Sequence, residues 1–469
     1  MRILLINPPI RLNKPPEGFP LGLGYISGVL LDASHEVRVL DVNATRIPEN
    51  IVLKKIEKSN FDIVGIGGLI TTYKYVKWLT YEIKKMKPRT KIILGGGVGA
   101  SIPELAFDKM NIDFIVIKDG EKTIVELLDK LDNPSKVKGI YYKSDGEVHK
   151  TPERELIKDL DSIPFPAWDL FPMDVYTNPT THSGWRKKIN MLYGRGCPFR
   201  CTFCWHNFGY NNRLRSPDNV IEEIKLLKKK YEIKYVSFYD ECLTTSKENV
   251  LDFCNKLIEG KFDIKWDCAS RINLIDGKML KVMKKAGCHY IGYGVESGSQ
   301  MMLNSMRKGI TVEQAKKAIL LTKKAGIMPH ATFMIGTPGE TRETIRETIK
   351  FCKEVRLPHR IEIFFTTPFP STPLYEYAKE SGLIKDEEKY IERLGDVADF
   401  VINLTDMTNK ELIDLRNRAE KESSINLLKW VFDYYRYYGF SSLVKSGIKK
   451  AINIGTRDKL PIRLLPRAQ

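Results

Sequence analysis

Three cysteines crowd into eight residues of this chain, in the run Gly196-Cys197-Pro198-Phe199-Arg200-Cys201-Thr202-Phe203-Cys204. Thiolates at the spacing C-x3-C-x2-C can hold three corners of a cubane iron–sulfur cluster. Such clusters normally take four thiolates, so the fourth iron is left to a remote ligand or to a small molecule. An open iron can chelate that molecule and pass it an electron. A zinc knuckle with His206 as fourth ligand is the competing reading, although structural zinc favours four ligands in paired spacing. The chain has eight cysteines, none before residue 197. With no secretion signal, such clustering points to metal in a reducing, cytoplasmic setting and away from a disulfide framework. Cys242, Cys254, Cys268, Cys288 and Cys352 read as small core residues. Cys242 and Cys268 lie near strand ends, where one of them could touch substrate.

The elements that must position these thiols are legible as alternating patterns. Apolar runs occur at 2–7 (RILLIN), 36–41 (EVRVLD), 62–68 (DIVGIGG), 91–97 (KIILGGG), 113–118 (DFIVIK) and 138–143 (KGIYYK). Stretches with helical periodicity, such as 22–31 and 73–87, lie between them. The alternation predicts an α/β fold with an open, doubly wound parallel sheet over 1–149. Ligands of such sheets sit beyond the carboxyl ends of the strands. Those ends are Asn7-Pro8-Pro9, Gly67-Gly68-Leu69, Gly95-Gly96-Gly97 and Asp119-Gly120-Glu121.

Pro152, Pro164, Pro166, Pro172 and Pro179 make 150–187 a linker. The alternation then resumes over 188–375. Strands are expected at 188–194, 234–240, 263–270, 288–295, 328–336 and 360–367. Helices are expected at 219–230, 247–258, 277–285, 311–325 and 341–354. Six β/α units predict an incomplete barrel, with its chemistry at the carboxyl ends of the strands. The three cysteines follow the first of these strands. A helical, basic region at 376–469 completes the chain.

The cysteine run resembles the radical S-adenosylmethionine (SAM) superfamily, whose hallmark is C-x3-C-x-aromatic-C, with Phe203 in the aromatic position. The resemblance covers most of 188–375. It implies a 4Fe–4S cluster on Cys197, Cys201 and Cys204, and an open iron that binds SAM. One electron then splits the sulfonium into methionine and a 5′-deoxyadenosyl radical. It also implies a SAM pocket at the later strand ends. Asp240 and Glu241 stand where relatives carry an acidic pair, and a carboxylate there can accept from the SAM ammonium; an exposed helix-entry acid is the alternative. Arg271 could pair bidentately with the SAM carboxylate, or form a structural ion pair. Gly292-Tyr293-Gly294-Val295-Glu296-Ser297-Gly298 resembles the fourth-strand motif, whose acid meets the ribose. Glu296 would be costly to bury without a partner. Gly336, opening Gly336-Thr337-Pro338-Gly339-Glu340-Thr341, brings backbone near the adenine or simply turns into a helix cap.

The first half is similar to the cobalamin-binding, Rossmann-like domain that precedes the barrel in one subgroup of these enzymes. The similarity lies in Leu4-Leu5-Ile6-Asn7-Pro8-Pro9, in Pro20-Leu21-Gly22-Leu23-Gly24-Tyr25, in Gly95-Gly96-Gly97 and in Gly120-Glu121. It implies cobalamin contacts from Pro8, Pro9, Gly22, Leu69, Gly96, Gly97, Gly120 and Glu121. The D-x-H-x-x-G ligand motif is missing. Its place is taken by Asn7-Pro8-Pro9-Ile10-Arg11-Leu12, and the histidines before 150, His35 and His149, lie elsewhere. Cobalamin would therefore bind without a histidine on its lower face, unless the domain is vestigial.

The resemblance implies a cobalamin-dependent radical SAM enzyme, foremost a methyltransferase acting on an unactivated carbon. The deoxyadenosyl radical would abstract hydrogen, methylcobalamin would deliver the methyl group, and a second SAM would restore it. Oxidative cyclisation or ring rearrangement are alternatives within the same family. RNA modification of the methylthiolating kind is weakened by the lack of cysteine before 197, and a corrinoid or Fe–S carrier would need no SAM pocket. Expected partners are a small-molecule or lipid-like substrate and a one-electron reductant such as flavodoxin or ferredoxin, with nucleic acid not favoured.

Lys and Arg total 75 against 58 Asp and Glu, a net charge of +17. Such an excess attracts nucleic acid, anionic lipid or an anionic substrate, or reflects a Lys- and Ile-rich composition of the thermophile kind. No run approaches the roughly 20 apolar residues of a membrane span. MRILLINPPI at the start reads as a buried strand, not a signal peptide. Aromatics crowd 427–440, and 441–469 is strongly basic. That tail either packs on its own domain or makes peripheral membrane contact.

Overall fold

The computed structural model describes residues 1–11, 16, 18–178, 187–358, 361–396 and 398–423. Its first sheet has seven strands: β1 (Arg2–Asn7), β2 (Glu36–Asp41), β3 (Ile63–Gly67), β4 (Lys91–Gly95), β5 (Phe114–Val116), β6 (Ile140–Ser144) and β7 (Glu147–Lys150), in the order β2-β1-β3-β4-β5-β6-β7. Residues 3–7 of β1 are all buried, as expected of a central strand covered by helices on both faces. β1 to β5 pair in parallel, and the order reverses between β1 and β3, which opens a crevice at their carboxyl ends.

The sheet is not parallel throughout, which corrects the expectation for 138–143. β6 runs antiparallel to β5, and β7 antiparallel to β6. The cause is local. Asp145 and Gly146 both take positive φ, 52° and 85°, which suits the tight hairpin turn that Asp-Gly favours. A hairpin on the sheet's edge replaces a further crossover helix.

The second sheet contains β8 (Lys188–Met191), β11 (Tyr235–Phe238), β12 (Lys265–Ser270), β13 (Cys288–Glu296), β14 (Met328–Ile335) and β15 (Glu362–Phe365), in the order β15-β14-β13-β12-β11-β8 and parallel throughout. Helices Pro217–Tyr231, Lys247–Glu259, Gly277–Lys285, Val312–Lys324 and Arg342–Val355 cross between the strands. It is the curled sheet of a partial (β/α)6 barrel. Ser216, Ser246, Asp276, Thr311 and Thr341 cap these helices in turn, each accepting backbone N–H groups at the entry.

A short antiparallel ribbon, β9 (Gly194–Arg195) and β10 (Arg213–Leu214), closes the base of the cysteine loop. The linker folds back over the first domain. Trp168, Phe171 and Tyr176 surround Phe19, with ring centroids 4.4, 4.6 and 5.5 Å away. Asn190 of β8 ties Phe19 from the barrel side, donating to its carbonyl at 2.9 Å and accepting from its N–H. Past the barrel, Leu374, Tyr375, Ile391, Leu394 and Leu404 join the apolar core beneath the first sheet, and Tyr73 donates to Glu388 at 2.9 Å. Among the described residues no helix is long and apolar enough to cross a membrane. The aromatic run 427–440 and the basic stretch 441–469 lie outside the described residues.

Candidate active site

The loop after β8 carries the cysteines. Gly196 enters it at φ 87°, and a Cβ there would run into the Asn211 carbonyl oxygen, so only glycine fits. Hydrogen bonds pin the loop. The Cys197 N–H donates to Gly209 (3.3 Å), Cys204 to Cys201 (3.3 Å) and Thr202 to Met306 (3.1 Å). Cys201 is buried, whereas Cys197 and Cys204 are half-buried. Burial, with the nearby Cys201 thiol adding to it, pushes the Cys204 thiol up to about 12. Burial pushes the Cys197 thiol up as well, and metal coordination removes that obstacle to ionisation. Both ring nitrogens of His206 are buried and make no hydrogen bond among the described residues. Its ring lies 4.6 Å from that of Tyr210. Three free thiols on one loop fit the donor set of an open-cornered cluster.

Cations and carboxylates surround this loop. Arg271, at the end of β12, places Nη1 3.6 Å from the Cys201 sulfur and its guanidinium 3.7 Å from the centre of the Phe199 ring. Its Nε donates to Asn273 at 3.1 Å. Glu296 ends β13 at φ 71° and pairs with Lys308 at 2.8 Å. Lys308 also lies 5.6 Å from the centre of the Phe203 ring. These two buried charges satisfy each other beside the cysteine loop. Nothing in the local pattern around Lys308 announced it, because it sits past a short helix with no strand end to mark it.

The acidic pair after β11 divides. Asp240 turns into the fold, where Oδ1 accepts the N–H groups of Tyr193 (2.9 Å) and Gly194, and so holds the entry to the cysteine loop. Its Oδ2 is buried and makes no hydrogen bond among the described residues, so one oxygen is committed to the loop entry and the other is unpaired. Burial pushes its carboxyl up to about 7. Glu241 is exposed on the cysteine side, and surrounding protein pushes it up to about 7 as well. Ser297 is buried and committed to Thr348 (3.1 Å) and to the Ser299 N–H (3.1 Å). Gly336, at φ 101°, donates its N–H to Glu340, so the 336–341 segment is a turn closed by Glu340 and followed by the Thr341 cap.

Glu340 is buried, and burial pushes its carboxyl up to about 7. A carboxyl whose folded value exceeds its unfolded one contributes stability that is complete below the unfolded value and lost as pH rises through the folded value. Wild-type chain is therefore expected to lose urea resistance between about pH 5 and about pH 8, and Glu340→Gln to flatten that slope. Equal slopes for the two chains would refute this assignment.

At the first sheet's crevice, Pro8 and Pro9 are buried and Gly22 has open space around it. Leu69, two residues past the end of β3, is 49% exposed. Gly96, at φ 71°, packs so closely that a Cβ would stand 2.8 Å from the Gly68 oxygen. A Cβ on Gly97 would stand 3.4 Å from the ring of Trp205. Trp205 directly follows Cys204, so the cysteine loop meets the glycine floor of the crevice. At the β2 end, all three guanidinium nitrogens of Arg46 are buried without a hydrogen-bond partner. A glycine floor, an exposed leucine and unsatisfied N–H donors suit a large flat ligand edged with amide oxygens. Gly120 packs against Ile26 and Val116. Glu121 is committed elsewhere: its carboxylate pairs with Arg195 of the barrel at 2.6 Å. Asp119 lies between Arg195 (3.1 Å) and Arg213. This four-charge cluster ties the segment after β5 to the β9–β10 ribbon at the base of the cysteine loop and was not foreseen.

Comparison with known proteins agrees with this geometry. Residues 191–352 match the radical SAM superfamily, and residues 9–128 match the B12 binding domain. An uncharacterised methyltransferase of Pyrococcus horikoshii is 32% identical over 97% of this chain and 98% of its own length. The anaerobic magnesium-protoporphyrin IX monomethyl ester cyclase of Rubrivivax gelatinosus is 31% identical over 83% of this chain and 72% of its own. Among solved structures, the radical SAM methyltransferase TsrM of Kitasatospora setae superposes with a TM-score of 0.70 at 16% identity, over 95% of this chain and 88% of that one. The cobalamin-dependent enzyme OxsB gives 0.66 at 21% identity, over 90% of this chain and 61% of its own. The chain belongs to the radical SAM enzymes whose catalytic barrel follows a B12-binding domain.

Proposed function

We propose that this enzyme methylates an unactivated carbon of a small or lipid-like molecule, using a 4Fe–4S cluster, SAM and cobalamin. The observation that carries the reading is Trp205 against Gly97, which puts the cysteine loop and the crevice floor side by side. When bound, the three groups supply an electron, a carbon-centred radical and a methyl donor respectively. Cys197, Cys201 and Cys204 would hold the cluster, and Arg271 sets a positive charge beside the Cys201 sulfur. Glu241, Lys308, Glu296 and Phe203 would bind and orient SAM. Pro8, Pro9, Gly22, Leu69, Gly96 and Gly97 would receive the corrinoid. The buried walls around the cysteine loop exclude water from a reactive radical. A small one-electron donor protein of the flavodoxin or ferredoxin kind would supply the reductant.

Glu296→Gln removes one charge of the Glu296–Lys308 pair and is expected to weaken SAM binding about tenfold. Equilibrium dialysis of the reconstituted enzyme checks it, and unchanged affinity would remove Glu296 from the pocket. Oxidative cyclisation is the second reading, because cyclases stand among the relatives at 31% identity. The two readings differ in SAM products. Reduced, cobalamin-loaded enzyme should form S-adenosylhomocysteine in step with bound corrinoid. Formation of 5′-deoxyadenosine alone would favour cyclisation.

A further inference from the structure

The two loops that would hold the cluster and the corrinoid come from different domains, and one side chain links them. Arg195 lies in β9, two residues before Cys197, and pairs across the ribbon with Arg213 of β10. Its Nη2 donates to Glu121 at 2.6 Å and its Nη1 to Asp119 at 3.1 Å. Those carboxylates flank Gly120 just past β5, the last parallel strand of the first sheet, where Glu121 opens helix Glu121–Asp129. In its plane the guanidinium is therefore fixed by two acids of the B12-binding unit. Across its plane it is fixed by two rings, Tyr25 and Phe208, each with its centre 5.1 Å away. Tyr25 belongs to helix Leu21–Asp32 of the first domain, and Phe208 to the cysteine loop.

A second guanidinium locks the same joint. Arg213 pairs with Asp119 and donates to the carbonyls of Ile157 at 2.8 Å and Phe208 at 3.3 Å. Asp119 in turn accepts from the Ile157 N–H at 2.9 Å. All four charged residues are buried. Stability alone does not account for burying them, because well-packed apolar residues of similar volume often serve as well or better. Apolar contact has no direction, whereas a planar fork shared between two carboxylates sets orientation as well as distance. Direction matters at this place because Gly196 and Cys197 follow Arg195 at once. A shift of the guanidinium passes straight into the thiol loop. Trp205 against Gly97 also joins loop and crevice, but a ring tip over a glycine fixes no angle.

We propose that Arg195 is the positioning residue that holds the cluster loop at a fixed place over the corrinoid crevice. It acts through the Cys197 loop on one side and the Asp119–Glu121 segment on the other. The proposal rests on the reading that cluster and cobalamin are both bound, and it names what sets the separation between them. A carbon activated at one cofactor has to lie within reach of the other, so that separation bears directly on productive turnover.

The test is electron paramagnetic resonance of the full chain, reconstituted without oxygen, loaded with cob(II)alamin and reduced with dithionite. Two unpaired electrons held at one short separation split each other's signals, and the wild-type chain should show that splitting once its cluster is reduced. Arg195→Lys keeps the charge and loses the fork. Glu121→Gln keeps the shape and loses one charge. Both variants are expected to retain the wild-type iron–sulfur absorbance and cobalamin affinity, and to lose the single splitting in favour of an isolated cob(II)alamin signal. A joint that merely stabilises would lower their thermal midpoints and leave the splitting unchanged, and that result would overturn the proposal. Weaker cobalamin binding by Glu121→Gln would overturn it as well, by placing Glu121 against the corrinoid. So would failure of both variants to take up the cluster, or a wild-type chain that binds both cofactors without splitting. A wild-type chain that binds no cobalamin would sink the functional reading and the proposal together, whereas the other outcomes sink the proposal alone.

Discussion

Cys201→Ala, purified and reconstituted without oxygen, is expected to lose the broad iron–sulfur absorbance and to form no 5′-deoxyadenosine above background. Replacing groups that merely support metal ligands costs about 10–100-fold, and loss of a ligand on a three-thiol site should exceed that. Cys201 is the buried member of the set and the one beside Arg271. Neither Cys197 nor Cys204 can take its place without rebuilding a loop pinned by the Met306 and Gly209 carbonyls. Retained SAM cleavage in this variant would end the radical mechanism. Cys352→Ala is the matched control. It also removes a buried thiol, but one on helix Arg342–Val355 away from the loop, and it should keep both signals.

The second large effect concerns the joint between the segment after β5 and the β9–β10 ribbon. Asp119→Ala would leave Arg195 and Arg213 buried with one fewer carboxylate between them. Arg195 would retain Glu121, while Arg213 would keep only the carbonyls of Ile157 and Phe208. Removing one partner of a buried ion pair costs about 3–5 kcal/mol. The urea midpoint should fall accordingly, read by fluorescence of the chain's tryptophans. Arg213→Met together with Asp119→Leu should recover part of the loss, since well-packed apolar replacements of buried pairs are often neutral. An unchanged midpoint for Asp119→Ala would mean the cluster contributes nothing to stability. The neighbouring Arg guanidinium groups hold Asp119 below the usual carboxylate range despite burial. Its contribution is therefore present at neutral pH and lost as pH falls through its folded value.

The strands were legible because burial on both faces demands unbroken apolar runs, as RILLIN shows for β1. The barrel helices were legible from their periodicity to within about two residues at their entries, where Ser216, Thr311 and Thr341 cap them. β6 was legible as the apolar run at 138–143, but its antiparallel direction is set by the Asp145-Gly146 turn, and β7 carries no apolar run of its own. The cysteines could be read from spacing alone, since one loop carries all three. Asp240 shows the limit. Its place in the sequence fits a ligand-facing acid, yet one carboxylate oxygen is taken by two backbone N–H groups, a fact set by how the chain turns after β8. Glu121, Lys308, Trp205 and Arg46 depend on contacts between distant segments, so no local pattern could assign them.

The core beneath the first sheet is completed by Leu374, Tyr375, Ile391 and Leu404. During synthesis the B12-binding unit leaves the ribosome long before those residues exist. Until they arrive, part of its apolar underside stays open to water and to other chains. Maturation therefore waits on the last quarter of the polypeptide, and a truncated product ending inside the barrel should aggregate or be degraded, not persist as a free corrinoid carrier.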